Sequence, residues 1–193
     1  AELKKMKKEV IMITGDNEKT AAAISKKIGV DSYFAKVLPR KKEELIAKRI
    51  QEIKKEKVPA VVSTIPQHAE KFGKIAQEAG CDIFVVQSTV ATIKHLAKEY
   101  KIVDVGKLCQ ESKIPVILGN CVTYDVTLEL MESGASGLLI GIGPGAACTT
   151  RGVLGIGVPQ ITATVDCAAA RDYFNKRRGK YIPIITDGGM RIG

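Results

Sequence analysis

Seven short apolar runs punctuate this sequence, with amphipathic stretches between them, and that alternation limits the folds open to it. The runs are "VIMIT" (10–14), "YFAKV" (33–37), "AVVST" (60–64), "IFVVQ" (83–87), "PVILG" (115–119), "LLIGI" (138–142) and "YIPIIT" (181–186). Several are continuously apolar rather than alternating. A strand covered on both faces needs apolar side chains on both, whereas a half-exposed strand alternates. Strands of this kind separated by helices predict an α/β fold with a parallel sheet and right-handed crossovers.

The helices are marked by their ends and stripes. Asp16 or Asn17 caps the first, with Ile24 and Ile28 facing inward. Pro39 opens the second, whose stripe is Ile46, Ile50 and Ile53. Pro66 opens the third, with Ala69, Phe72, Ala76 and Ala79 on one side. Two more run over 124–133, ending near Gly134, and over 161–177, ended by Gly179. The one linker-like seam is "QEIKKEKVP" (51–59).

Residues suited to chemistry follow several strand ends: Thr14-Gly15-Asp16, Gln87-Ser88-Thr89, Asn120-Cys121, Gly143 to Cys148, and Asp187-Gly188-Gly189. Neighbouring strands that feed one rim favour a (βα) barrel over an open doubly wound sheet. The expected fold is an incomplete or rearranged TIM-barrel-like parallel sheet of about seven strands, folding as one domain.

Composition excludes several classes. No apolar run approaches the roughly 20 residues of a membrane helix, and the basic start "AELKKMKKEV" lacks the apolar core of a signal peptide. Five cysteines without a CxxC pair point to a reducing, cytoplasmic setting rather than to disulfides or zinc. His68 and His95 have no ligand-spaced partners, so no metal is expected. The net charge of +9 is concentrated in residues 1–57, with 16 Lys+Arg against 9 Asp+Glu. It lies in lysine pairs without interleaved aromatics, which reads as a solvated face rather than a nucleic-acid surface.

The stretch "GLLIGIGPGAACTTRGVLGIGVPQ" (137–160) is different in kind. Its glycines allow a tight loop whose backbone N–H groups can face an anion. Cys148 sits in that loop with Arg151 three residues on, a setting that favours a thiolate. Spacing alone leaves both a reactive thiol and an inert packed cysteine open.

"GIGPGAACTTRGVLGIGVPQITATVDCAAAR" followed by "YIPIITDGGMRIG" resembles the IMP dehydrogenase and GMP reductase family, particularly its CBS-free branch, over about residues 59–193. The resemblance implies that Cys148 attacks C2 of a purine nucleotide, that hydride passes to NAD, and that the thioimidate is then hydrolysed. It implies Thr150 as a loop residue near the nucleophile and Asp187 as the holder of the ribose hydroxyls. Gly143, Gly145, Gly188 and Gly189 belong to the loops that approach the phosphate, and Asn120 lines the same rim. Gln87 departs from the pattern, because the family's dehydrogenases commonly carry there an aspartate that contacts the cofactor. The family's eighth strand and its mobile flap, with the arginine that activates water, have no counterpart before Gly193.

Residues 1–57 resemble instead the HAD-like phosphorylation domain of heavy-metal P-type ATPases. "TGD" (14–16) and "LPRKK" (38–42) carry this likeness, through Thr14, Asp16 and Lys42. That family's "DKTG" and "GDG-x-ND" motifs are missing.

The expectation is therefore a recombined or engineered chimera: a HAD/flavodoxin-like βαβα piece (1–57) joined to a (βα) barrel piece (58–193). Such a scaffold lacks a complete catalytic cycle, needs no cofactor, and keeps weak phosphate or purine-nucleotide binding. The alternatives are an IMP dehydrogenase/GMP reductase-like oxidoreductase that brings NAD with it, and a HAD-like phosphate-handling protein. Unpaired edges at 10–14 and 181–186 predict a homodimer.

Overall fold

In the computed structural model, which describes residues 11–13, 18–28, 32–34, 39–93 and 103–190, all seven apolar runs contribute strands. The chain divides into two compact units, residues 1–48 and 49–193. In the first, β1 (Ile11–Ile13), α1 (Glu18–Ile28) and β2 (Ser32–Phe34) form a βαβ unit, and its strands pair in parallel with Ile11 opposite Ser32. Ile24 of α1, expected to face inward, is exposed. Thr14 and Asp16 lie outside the described residues, as does His95. Lys42 falls in α2 (Pro39–Lys55), and its side chain is likewise outside them.

The second unit holds a five-stranded, wholly parallel sheet in the order β3 (Val61–Thr64), β4 (Ile83–Gln87), β5 (Val116–Cys121), β6 (Gly137–Ile140), β7 (Ile184–Thr186). Strand order follows chain order without reversal, so every strand's C-terminal end reaches one rim, as along the arc of a (βα) barrel. The single sheet of about seven strands is thus corrected to a pair and a set of five. Apolar runs reveal strands, but which strands pair is settled by long-range contacts. β1 in the smaller sheet and β7 at one end of the larger are both outer strands, as the expected edges at 10–14 and 181–186 require, and the homodimer drawn from them stays a proposal.

Burial follows the composition of each strand. Phe84, Val85 and Val86 of β4 and Val116 and Leu118 of β5 are buried, as are Leu138 and Ile140 of β6, whereas Val61 of β3 and Ile185 of β7 are exposed. The helices that follow are α3 (Ala69–Glu78), α4 (Val105–Glu111), α5 (Tyr124–Glu132), α6 (Thr150–Leu154) and α7 (Gln160–Arg178), of which α3, α5 and α7 pack on the strands. Pro66 opens a 3-10 turn, Pro66–His68, ahead of α3. The stripe Ala163, Cys167, Ala170 and Phe174 is the buried face of α7, which packs against α5. Sequence reading missed α4, whose seven residues are too few to show a periodicity. Asp104 caps it, its carboxylate accepting the Lys107 N–H at 2.9 Å.

The supposed linker at 51–59 is not one. Its first five residues complete α2, and they are tied to the β3–β4 region. Gln51 Nε2 donates to the Ala79 carbonyl at 2.7 Å, and Lys54 Nζ meets Asp82 Oδ1 at 2.6 Å. Asp82 Oδ2 accepts the Ala60 N–H at 2.7 Å, and Lys54 and this N–H together hold the Asp82 carboxyl below the usual range.

One packing contact carries a stability prediction. A Cβ on Gly119 would lie 2.5 Å from Leu139 Cβ and 3.0 Å from the Leu139 carbonyl oxygen, across the β5–β6 ladder. Neither atom is the free end of a flexible side chain, so the strands must separate. Gly119→Ala should cost about 2 kcal/mol or more, read as a lower urea midpoint at unchanged slope.

Candidate active site

The rim at the strand C-termini surrounds a cavity of about 600 Å³. Its lining includes Thr64 at the end of β3, Gln87 at the end of β4 with Ser88 and Thr89 after it, Asn120 on β5, Gly141 to Gly145 with Cys148 and Thr150 after β6, and Asp187 and Gly188 after β7. Of the inferred site residues after Asn120, only Gly189 is absent from this wall. Asp187 follows β7 directly, with its N–H on the Ile140 carbonyl at 2.8 Å.

Asn120 reaches the rim because β5 is irregular there. Gly119 pairs with Leu139 and Cys121 with Ile140, leaving Asn120 as the extra residue of a bulge. Its main chain bonds into the loop after β4, with Asn120 N–H to the Ser88 carbonyl at 3.0 Å and Ala91 N–H to the Asn120 carbonyl at 2.7 Å. Its buried side chain gives Nδ2 to the Gly141 carbonyl at 2.9 Å and to Asp187 Oδ2 at 2.8 Å. Gln87 completes the group, its Nε2 donating to Asn120 Oδ1 at 2.9 Å and to Asp187 Oδ2 at 3.2 Å. Gln87 entered the sequence analysis as one of the strand-end residues of the rim and as a departure from a cofactor site, and nothing local to it signalled a bond to residue 187.

Cys148 is exposed, whereas Cys81, Cys121 and Cys167 are buried. Its N–H bonds to the Gly145 carbonyl at 3.1 Å, and its Sγ lies 3.3 Å from Thr150 Oγ1. The Thr150 hydroxyl, then its N–H, then the Arg151 charge lower the Cys148 pKa, against partial desolvation and the Asp187 charge. The sequence reading credited Arg151 and the loop N–H groups; the larger part comes from Thr150. Cys109 is held up at about 11 by burial, and Cys121 is pushed up by its hydrogen bond to Cys167 and by burial. Alkylation should therefore modify Cys148 first, at least about tenfold faster than any buried thiol, as peptide mass spectrometry will record.

The glycines act differently from expectation at one position. A Cβ on Gly189 would sit 2.5 Å from Pro144 Cβ and 3.1 Å from the Pro144 carbonyl oxygen, and its φ of +73° disfavours any side chain. The absent side chain lets the 187–189 loop seat against the 143–148 loop. Gln160, not singled out from the sequence, lies behind both loops: its Nε2 donates to the Ile140 carbonyl at 2.7 Å, and its buried Oε1 has no donor among the described residues.

Among the described residues, no group of three His, Cys, Asp or Glu could hold a metal ion, and no helix is long and apolar enough to cross a membrane. His68 packs by Phe72, with ring centroids 5.4 Å apart.

Residues 3–193 match the model of the IMP dehydrogenase / GMP reductase domain. The inosine-5′-monophosphate dehydrogenase of Cryptosporidium parvum is 42% identical over 118 residues, which are 61% of this chain and 27% of that protein. An uncharacterised oxidoreductase of Mycobacterium tuberculosis is 33% identical over 149 residues, 76% of this chain and 40% of the relative. Among solved structures, an IMP dehydrogenase/GMP reductase-like protein from Corynebacterium glutamicum superposes with a TM-score of 0.68 at 31% identity, covering 77% of this chain and 38% of that one. GMP reductase C318A from Trypanosoma brucei in complex with guanosine 5′-monophosphate gives 0.54 at 31% identity, covering 69% and 26%. The chain thus spans well under half the length of these relatives.

These matches overturn the chimera. The matched span starts at residue 3 and ends at 193, so residues 3–57 fall within the same family match as the rest, and the reading as a scaffold without catalysis falls with the splice. "TGD" and "LPRKK" misled because a strand, a short polar loop and a capped helix recur in every βα unit. Without the aspartate and magnesium motifs they do not identify a HAD-like fold.

Proposed function

Because the chain belongs to the IMP dehydrogenase / GMP reductase domain family, we propose that its rim carries out oxidoreductase chemistry on a purine nucleotide, with Cys148 as the nucleophile. The observation that carries this reading is a single exposed thiol in the wall of a nucleotide-sized cavity, paired with a hydroxyl that lowers its pKa and sharing that wall with a carboxylate. A thiolate is the strongest side-chain nucleophile at neutral pH.

Asp187 accepts from the ribose, and the backbone at Gly143, Gly145 and Gly188, all in the cavity wall, meets the phosphate. The Cys148 thiolate, steadied by the Thr150 hydroxyl, adds to C2 and forms the C–S bond. The nucleotide is then held covalently between sulfur and ribose anchors, so that the hydrogen at C2 can leave as hydride. A bound nicotinamide cofactor would accept that hydride, or in the reductive direction deliver one to C2 after the 2-amino group of GMP has left as ammonia on thiolate attack. The cavity fits such a group, since Thr64, Ser88 and Thr89 line it with neutral donors and acceptors that would hold it. Water on the thioimidate carbon releases the thiol.

The test is a pair of assays with the purified chain: IMP with the oxidised cofactor, and GMP with the reduced one, each followed by cofactor absorbance and by intact-mass detection of an adduct at Cys148. Turnover or an adduct in either direction is the expected result. The reading is overturned if neither appears and neither nucleotide protects Cys148 from alkylation.

The thiol's pH behaviour is a separate check. With a folded pKa below the ordinary thiol value, the reactive thiolate is present above that pKa and is lost as pH falls through it. The midpoint of the alkylation profile should therefore lie below that of the same cysteine in the urea-unfolded chain. Thr150→Val should move it back up.

A further inference from the structure

The amide group of Gln87 has a hydrogen-bond arrangement that only one orientation allows. The chain of constraint starts at a backbone carbonyl, Gly141 O, which accepts Asn120 Nδ2 at 2.9 Å and so prevents that amide from flipping. With Nδ2 placed, its second hydrogen goes to Asp187 Oδ2 at 2.8 Å, and Asn120 Oδ1 faces Gln87. An acceptor there requires a donor, so Gln87 must present Nε2. Its two hydrogens are then consumed by Asn120 Oδ1 at 2.9 Å and Asp187 Oδ2 at 3.2 Å. Two acceptors are left over: among the described residues nothing donates to Asp187 Oδ1 or to Gln87 Oε1, and both residues line the cavity.

A carboxylate at position 87 could not take this place. It has no hydrogen to give to Asn120 Oδ1, and it would set a second negative charge beside Asp187. The departure from the dehydrogenase pattern at this position is thus matched by a specific set of partners.

We propose that Gln87 determines specificity for the sugar: it fixes Asp187 through Oδ2, and its Oε1 and the Asp187 Oδ1, both left without a donor in the cavity wall, each accept one hydroxyl of a ribose diol. The proposal rests on the reading of Asp187 as the ribose anchor, and what it adds is that Gln87 carries the discrimination against 2′-deoxy counterparts. A deoxy sugar offers one donor to two acceptors and leaves one of them buried under the ligand without a partner, which is where discrimination arises.

The test compares dissociation constants of IMP and 2′-deoxy-IMP for the parent chain, Gln87→Leu and Asp187→Asn, by heteronuclear NMR titration; the free spectra also verify that each variant is folded. The parent should prefer the ribonucleotide by roughly tenfold or more, the size of one hydrogen bond to a charged group. In Gln87→Leu that preference should shrink to about twofold while affinity for the deoxynucleotide stays nearly constant. A residue that merely holds the fold would weaken both ligands equally, and that outcome overturns the proposal. So does a preference that Asp187→Asn removes and Gln87→Leu leaves intact, although the ribose role of Asp187 then stands. A parent chain that binds both ligands equally defeats the ribose reading of Asp187, and the proposal with it.

Discussion

If the proposed nucleophile is right, Cys148→Ala should abolish any covalent adduct with purine nucleotide and reduce any turnover by about three orders of magnitude or more, on the order of the loss when other enzymes lose their nucleophile. The physical basis is that no other thiol can substitute. Cys81, Cys121 and Cys167 are buried, and Cys109 is kept protonated by desolvation, with its pKa at about 11. Because Cys148 is exposed and its side chain is no part of the core, the variant should fold as the parent does and bind nucleotide within about twofold, the usual range for a surface substitution. Binding and chemistry are thereby separated. NMR titration should give an almost unchanged dissociation constant, while intact-mass spectra in the presence of nucleotide and cofactor show the unmodified chain only. An adduct persisting in Cys148→Ala would place the nucleophile elsewhere.

The second large effect is expected at Gly189. An added Cβ would meet Pro144 Cβ at 2.5 Å, the Pro144 carbonyl at 3.1 Å and Gln160 Cβ at 3.1 Å, on a backbone whose φ of +73° already disfavours a side chain. Pro144 is ring-bound and Gln160 is buried beneath the loops, so neither can yield cheaply. The 187–189 turn must then lift away from the 143–148 loop, taking Asp187 from its two amide donors and altering the wall shared with Cys148. Gly189→Ala should weaken purine-nucleotide binding by about tenfold to a hundredfold, since the proposed hydrogen bond of the sugar to the charged Asp187 is at stake. The sheet should survive, because the clash lies beyond the end of β7, so the far-ultraviolet circular dichroism should match the parent. Slower alkylation of Cys148 in the same variant would confirm that the two loops move together. Unchanged affinity would mean that the turn yields without disturbing the site.

Much of this protein was already written in local patterns. Continuous apolar runs identified the strands because a strand covered on both faces leaves no polar position free, and the resulting β4, β5 and β6 are buried as that rule requires. Pro39, Pro66 and Gly179 marked helix ends through constraints each residue imposes by itself. Cys148 and Asp187 were legible because they stand in long, distinctive loops at strand ends.

Local patterns failed where the answer lay in pairing. The same kind of apolar run that places β3 in a five-stranded sheet places β1 in a pair, and no property of the runs separates the two. Short loop motifs near the N-terminus suggested a second family because a βα turn looks much alike wherever it occurs. Gln87 lies 100 residues from Asp187, and Asn120 lies 67 from it. Only the parallel stacking of β4, β5, β6 and β7 brings their ends to one rim, and only the bulge at Asn120 turns its amide to bridge them. The sequence determined which segments form strands and which loop carries the thiol, because those depend on neighbours a few residues away. Which amide holds which carboxylate was decided by tertiary structure, since hydrogen bonds across strands depend on register and on a fixed backbone carbonyl that no single segment contains.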